Sequence, residues 1–409
     1  MKGYRIAMVA ACPFPANYGS AASILEMSQV LAERGHEVHV VTYHVGLSTE
    51  GLNFTVHRIP YVPTYRKRTS GPAYQKPLLD GLLALKLIQV VRRERIDLIH
   101  AHNYEATLAA YIARRFTGRP VIYNAVTAMG HELPMHNFIR PKSLAVKVGN
   151  WLDAYVPTHA DFITAVSPDL VALAQRQGVP AERIALIPAG VNLSDFENPD
   201  PTKIRREFRL GDRPVVLYTG ILDPFQGIEN LLAAMKLVLQ EIPEAVLLIV
   251  ANSAFHRFER MARELGIHDS VIFANDPPFC DIKHYLAASQ VTVVPRVECP
   301  GFPVKLLNYM AGGKASVAFA GSAKCIEHLK TGWVVPGGDI ADFARGIIAL
   351  LRDPALAEQL GRRAREHLKG NYEWHALAER IEQVYAKVMA QGESVPATAK
   401  PSAVRPVGD

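Results

Sequence analysis

The chain has 409 residues, 49% of them hydrophobic and 21% charged, with a formal net charge of +6. That composition buries a sizeable core, excludes a disordered chain, and at this length calls for two or three domains. Four scattered cysteines (Cys12, Cys280, Cys299, Cys325) form no C-x-x-C pair, which argues against a disulfide framework or zinc site and for a reducing cytoplasm, and Lys and Arg spread without interleaved aromatics argue against a nucleic-acid interface.

The first half alternates short apolar runs with amphipathic ones. Residues 6–11 read as a strand, too short for a signal peptide and ended by Pro13. A Pro/Gly loop over 12–20 leads to a helix over 21–34, which Gly35 stops. Strands follow at 37–42 and 54–59, then a helix over 77–95 and a strand over 98–102. Next come a helix over 105–115, a strand over 121–125, a helix over 141–159, a strand over 162–166, a helix over 167–177 and a strand over 184–188. Strands separated by helices imply parallel βαβ units with helices on both faces. The basic run Tyr65-Arg66-Lys67-Arg68, with Lys76 nearby, reads as a solvated loop, with a peripheral membrane contact as the alternative.

Residues 192–212 are polar, carry Pro199 and Pro201, and read as a linker. The alternation then restarts, with strands at 215–220, 245–250, 271–273, 291–295, 315–319 and 332–336. Helices are predicted over 227–240, 257–265, 282–288 and 339–352, with a last one over 372–389 and a disordered tail over 392–409. No apolar run reaches the ~20 residues of a membrane-spanning helix.

The stretch 300–314, Pro-Gly-Phe-Pro-Val-Lys-Leu-Leu-Asn-Tyr-Met-Ala-Gly-Gly-Lys, organises the second half. It places a Gly-containing loop and a helix N-terminus at the carboxyl end of a strand, where free N–H groups and the helix dipole suit an anion. Lys305 in the first turns opposes that dipole, so it needs another reason; a diphosphate ligand supplies one, against the plain reading of a surface lysine. Gly19-Ser20 after the first strand, and the loop from Gly220 to Gly227, are two further places where backbone can approach a ligand. The chain has neither G-x-G-x-x-G nor a P-loop, which argues against a standard dinucleotide dehydrogenase and a P-loop enzyme. His100 and His102 share one face of a strand and read as core histidines rather than metal ligands, with no third ligand evident. In His131-Glu132-Leu133-Pro134-Met135-His136 the histidines are five apart and Pro134 breaks a helix, which rules out a zinc-protease motif. His131 and Glu132 still lie on the ligand edge as candidate substrate contacts or catalytic acid and base.

Taken in order, these pieces resemble the retaining, GT-B-fold glycosyltransferases of family four, over nearly the whole chain to about Ala390. The carriers are the Gly19 loop, Gly35-His36-Glu37-Val38, Asp97-Leu98-Ile99-His100-Ala101-His102 and Ile187-Pro188-Ala189-Gly190-Val191-Asn192 with Phe196. The rest are Tyr218-Thr219-Gly220 through Gln226-Gly227-Ile228, Gly301-Phe302-Pro303 through Met310-Ala311, and a last helix with Tyr372 and Trp374. The resemblance implies two doubly wound Rossmann-like domains facing across a cleft. An acceptor-side domain would span 1–196, a donor domain 197–370, and a helix crossing back to the first domain 371–391. The chain departs from the family at five places: Ile221 or a neighbour and Gln226 stand where an Arg and a Lys are usual, Pro300 and Asn308 where two Glu are usual, and Val126 near a usual His. Glu298 and Lys305 are the candidate replacements for the missing carboxylate and cation, and Asn308 can bond ribose hydroxyls.

The implied activity is transfer of a sugar, with retention, from a UDP- or GDP-sugar to a hydroxyl on a saccharide or lipid-linked acceptor, in bacterial polysaccharide or glycolipid synthesis. It implies no tightly bound cofactor and no metal, and a cytoplasmic enzyme, peripheral to the membrane in one reading. The donor residues would be Gly19, Ser20, Gly220, Gln226, Glu298, Gly301, Phe302, Pro303, Lys305, Leu306 and Asn308, with His131 and Glu132 on the sugar side. The alternatives are a GT-B epimerase or phosphorylase, and a catalytically impaired nucleotide-sugar-binding protein.

Overall fold

The computed structural model describes residues 3–16, 19–67, 73–136, 138–251, 255–275, 277–299 and 301–393. In the first half, strands β1 (Arg5–Ala10), β2 (Glu37–Thr42), β3 (Thr55–Arg58), β4 (Leu98–His102), β5 (Val121–Ala125), β6 (Phe162–Ala165) and β7 (Ile184–Leu186) alternate with helices. These are α1 (Gly19–Glu33), α2 (Lys76–Arg93), α3 (Asn103–Thr117), α4 (Met129–Glu132), α5 (Lys142–His159) and α6 (Pro168–Arg176). The second half holds β8 (Val215–Thr219), β9 (Val246–Ala251), β10 (Val271–Asn275), β11 (Val291–Val294), β12 (Ala315–Phe319) and β13 (Trp333–Val335). Its helices are α7 (Pro201–Glu207), α8 (Ile228–Glu241), α9 (Phe255–Glu264), α10 (Ile282–Ala288), α11 (Val304–Ala311), α12 (Ile340–Arg352), α13 (Pro354–Leu368) and α14 (Trp374–Glu393).

The strands form two parallel sheets, ordered β3-β2-β1-β4-β5-β6-β7 and β10-β9-β8-β11-β12-β13. β4, β5, β8 and β9 are buried along their whole length, as continuous β-branched and apolar runs require when helices cover both faces. In each sheet the order reverses once, between β1 and β4 and between β8 and β11. At such points the outgoing loops diverge and leave a crevice at the carboxyl edge. Most of the candidate ligand residues lie on loops or helix starts at these edges, and Asn308 lies one turn further along α11.

Two details differ from the sequence-based expectation. The presumed linker contains α7, whose start is capped by Asp200 accepting from the Thr202 N–H at 2.9 Å. Helix α13 was not anticipated; its charged outer face hid a periodicity that Asp353, accepting from the Leu356 N–H, and Pro354 announce. In the basic run at 65–68, Tyr65 is core while Arg66 is exposed to solvent, and half-buried Lys76 nearby pairs with Glu105 at 2.5 Å. Arg68 and the tail over 394–409 lie outside the described residues.

Helix α14 packs on α1 of the first half. Trp374 lies flat against Gly190, where a Cβ would sit 2.4 Å from the indole, and its Nε1 donates to Glu26 at 2.6 Å. Further along, Arg34 grips Glu382 with two hydrogen bonds of 2.7 and 2.9 Å, and Tyr385 Oη meets His100 Nδ1 at 2.8 Å. His100 and His102 are thus core groups: His102 stacks on His100 and bonds Asn124. No helix among the described residues is long and apolar enough to cross a membrane.

Candidate active site

Strand β8 is followed by Gly220, whose φ of +126° suits a residue without a side chain. A Cβ there would also fall 2.9 Å from Nζ of Lys305. The loop beyond closes at Gly227, with φ +74° and no room for a Cβ against the carbonyl of Pro295. The β8–α8 loop therefore lies tight against the end of β11.

Lys305 enters this loop from the first turn of α11. Its Nζ donates to Tyr218 Oη at 2.7 Å and Gln226 Oε1 at 3.1 Å, and lies 4.0 Å from the Tyr218 ring centroid. The Tyr218 hydroxyl in turn donates to the Ile221 carbonyl at 2.7 Å. Among the described residues no carboxylate pairs with Lys305. Burial, and then the charge of Arg296, push its pKa down to about 7. A cation held by neutral groups alone is an incomplete electrostatic site, and an anion completes it.

A second cation stands beside it. Arg296, just after β11, places its guanidinium carbon 4.7 Å over the Phe225 ring, and its Nε donates to the Glu298 carbonyl at 2.7 Å. Across the cleft, the His136 ring meets Phe225 edge-on at 6.1 Å. Glu132 accepts from the Thr127 hydroxyl at 2.5 Å and lies 3.4 Å from His136 Nε2. Burial pushes Glu132 upward, but its bonds to His136 and Thr127 and the charge of Arg296 outweigh that and hold it below the usual carboxylate range. Next to it, Nδ1 of His131 is buried with no hydrogen-bond partner among the described residues. Helix α4, which carries both, is held by Asp153. That carboxylate accepts from the N–H groups of Met129 and Gly130 at 2.8 and 2.9 Å and from the Tyr104 hydroxyl.

The structure thus joins Gly220, Gln226 and Lys305 in one contact, and brings the His131–Glu132 segment to it through His136 and Phe225. Gly301 abuts the first half, where a Cβ would lie 2.2 Å from the Val126 carbonyl. Phe302 packs against cores of both halves and against Tyr372. Pro303 precedes α11 and accepts from the Leu306 N–H at 2.8 Å. Leu306 is wholly buried in the second core, so its side chain packs there and only its backbone borders the loop. Asn308, half-buried, sits one turn beyond Lys305 on the same side of α11. Glu298 turns its carboxylate toward Gly321, after β12. Gly19 and Ser20 open α1 at the carboxyl edge of β1. Pro300 lies outside the described residues. Among the described residues no cluster of three or more His, Cys, Asp or Glu could hold a metal.

Sequence reasoning missed Arg296, the Tyr218 hydroxyl, Phe225 and Asp153. The argument that selected Lys305, a cation at the carboxyl end of the 291–295 strand, applies equally to Arg296. Nothing local marks Asp153, which acts across 24 residues on Met129.

Two doubly wound sheets meeting edge to edge, with paired cations at the join and a last helix returning to the first sheet, define the GT-B class of sugar-transferring enzymes. The model of the glycosyl transferase 4-like domain matches residues 18–190, and that of glycosyl transferases group 1 matches residues 200–367. The chain belongs to glycosyltransferase family four and is an enzyme of hexosyltransferase type. It is 24% identical over 389 residues to N-acetyl-alpha-D-glucosaminyl L-malate synthase of Bacillus anthracis, covering 92% of this chain and 96% of that one. It is 26% identical over 396 residues to a D-inositol 3-phosphate glycosyltransferase of Thermobispora bispora, covering 90% and 89%. Among solved structures, sucrose-phosphate synthase of Thermosynechococcus elongatus superposes with a TM-score of 0.81 at 23% identity, over 95% of this chain and 100% of that one. Anabaena HepE in complex with UDP-glucose gives 0.75 at 18%, over 94% and 100%. These last two likenesses bear on the fold.

Proposed function

We propose that the enzyme moves a sugar from a nucleoside-diphosphate donor to a hydroxyl of a saccharide or lipid-linked acceptor, with retention, in polysaccharide or glycolipid synthesis. In this reading residues 1–196 receive the acceptor and residues 197–370 the donor. The observation that carries it is the uncompensated Lys305 ammonium under the Gly220 loop. The family cations are missing from that loop, and Lys305 and Arg296 supply two from the β11–α11 side. On donor binding Lys305 is held as the ammonium, and both cations stabilise the charge that develops on the departing diphosphate. Gly220, Gln226, Gly301, Pro303 and Asn308 shape the donor bed, with Glu298 and the Gly19–Ser20 turn at its rim. The unpartnered His131 nitrogen faces a sugar hydroxyl. Glu132, held as the carboxylate, fixes Thr127 and His136 rather than donating a proton. Relatives that act with GDP-mannose, and a neighbour that holds UDP-glucose, support a nucleotide-sugar donor.

The test is thermal stability against a panel of nucleoside diphosphates and their sugars. A ligand present at a hundred times its Kd stabilises the fold by about 2.7 kcal/mol. We expect one base to raise Tm, and Lys305→Ala and Arg296→Ala each to remove most of that rise. NMR of the product anomeric centre then checks retention. No shift with any nucleotide would sink the donor site, whereas a shift without turnover would leave a binding protein.

A further inference from the structure

Exposed apolar side chains are distributed unevenly. Among the described residues, thirteen large hydrophobic side chains are exposed, and all but Leu329 precede β8. Since the second sheet hides its apolar residues almost completely, the first half's exposure is a feature of that half and not of the composition.

Part of this exposure is organised on α2 and α3. The two helices lie side by side: Lys76 pairs with Glu105 at their first turns, and an Arg92 nitrogen donates to the Phe116 carbonyl at their last. Leu79, Leu83, Leu87 and Val90 point α2 into the core. Leu78 and Leu85, seven residues apart, form an exposed stripe on α2. Ile112 and Phe116, four apart, do the same on α3. Beside these stripes stand Lys86 and the exposed Arg92, Arg93 and Arg115. The acidic groups of the two helices are turned away or paired: Asp80 accepts from the Tyr43 hydroxyl, and Glu105 is closed by Lys76. Glu94, at the end of α2, lies against Arg93. The outward face is therefore apolar and basic. At the cleft end of α2 it continues into Tyr74, 85% exposed, whose ring packs on Phe138 at 4.6 Å.

We propose that the outer face of α2 and α3 seats the enzyme on an anionic lipid bilayer. Leu78, Leu85, Ile112 and Phe116 enter the headgroup layer while Lys86, Arg92, Arg93 and Arg115 meet lipid phosphates. Four apolar side chains anchor weakly on their own, so the attachment needs both the apolar and the electrostatic part and is reversible. A second copy of the chain fits this face poorly, because an isologous dimer would set the same arginines against one another. The seat is distinct from the loop at 65–68, and it places the cleft mouth at Tyr74 and Phe138 beside the lipid. The proposal stands independently of the donor site.

Full-length protein would be sedimented with vesicles of phosphatidylcholine alone and of phosphatidylcholine with phosphatidylglycerol, at low and high salt. Binding is expected only to the anionic vesicles, weakening as salt rises. The triple variant Arg92→Gln, Arg93→Gln, Arg115→Gln should lose on the order of 100-fold in partition, at about fivefold per basic residue. Leu85→Glu with Phe116→Glu should lose binding, while both variants keep the wild-type circular dichroism spectrum and cooperative melting transition, which shows that they fold. Failure of the wild type to bind anionic vesicles overturns the proposal, as does undiminished binding by both variants. A wild-type dimer that Leu85→Glu, Phe116→Glu dissolves, with no vesicle binding, also overturns it and assigns the face to a second copy.

Discussion

At the scale of single residues, Lys305 carries the sharpest consequences, because its folded pKa is depressed to about 7 by burial and by Arg296. An unfolded lysine titrates near 10.4, so between these values the unfolded chain binds the proton and the folded one does not. The destabilising effect of the ammonium is complete below pH 7 and fades as pH rises above it. Lys305→Met should therefore raise the Tm of the nucleotide-free enzyme, and more at pH 6 than at pH 9. The facing groups are Arg296, Cys299, Tyr218 and Gln226, none of them a carboxylate. A diphosphate reverses the balance by favouring the ammonium, so binding above pH 7 should draw a proton from solution. Calorimetry in two buffers of different ionisation enthalpy measures that uptake; equal apparent enthalpies at pH 8 would contradict it. Phe225→Leu should act in the same site through Arg296. It removes the ring under the guanidinium while keeping bulk, and is expected to weaken nucleotide binding by roughly 5-fold, the size of a cation–π contact.

At the scale of elements, α14 shows how a returning helix is fastened. Glu382 is almost wholly buried and bidentate to Arg34. The bonds from Arg34 first, and then from His36, hold its carboxyl below the usual range despite burial. That contribution is present above the ordinary carboxylate pKa and is lost as pH falls through the folded value. Arg34→Ala leaves the buried carboxylate with His36 as its one remaining partner, and urea unfolding at pH 7 should show a loss of about 3 kcal/mol. Trp374→Ala, which empties the space against Gly190, should cost about 3–5 kcal/mol in the same measurement. The elements were legible where the hydrophobic period was strong: the βαβ alternation, and the apolar stripe of α11 beneath Lys305, can be read from one chain. Helix α13 was not, because its solvent face is a run of charges and its boundary signal is confined to Asp353-Pro354. The site was legible where it depended on local spacing, as at Gly220, Gly301 and Lys305. It was illegible where long-range packing decides. Leu306 follows Lys305 directly yet points into the core, and Asp153 orders Met129 and Gly130 from another helix.

At the scale of the whole molecule, the two halves touch through α14 and through the segment that leads into α11. Gly301 meets the Val126 carbonyl, Phe302 inserts into the first half's core, and Lys324 reaches Asp169 at 2.5 Å. A Cβ on Gly301 would lie 2.2 Å from a backbone oxygen, which no rotamer change can relieve, so the halves must part by about an ångström. Phe302 beside it packs against a core of each half, so Gly301→Ala should leave each half folded while lowering Tm. Arg296 and Phe225 on one side, and His136 and Glu132 on the other, would separate by the same step. Because misplacement by about 1 Å can cost about 100-fold in rate, donor turnover should fall by that order. The nucleotide-induced rise in Tm should change little, since Lys305, Gln226 and Gly220 all belong to the second half. Steady-state kinetics and thermal shifts on the same preparation separate these effects. A loss of nucleotide binding equal to the loss of turnover would place the damage within the donor bed. Unchanged turnover would mean that the sugar is handled by the second half alone.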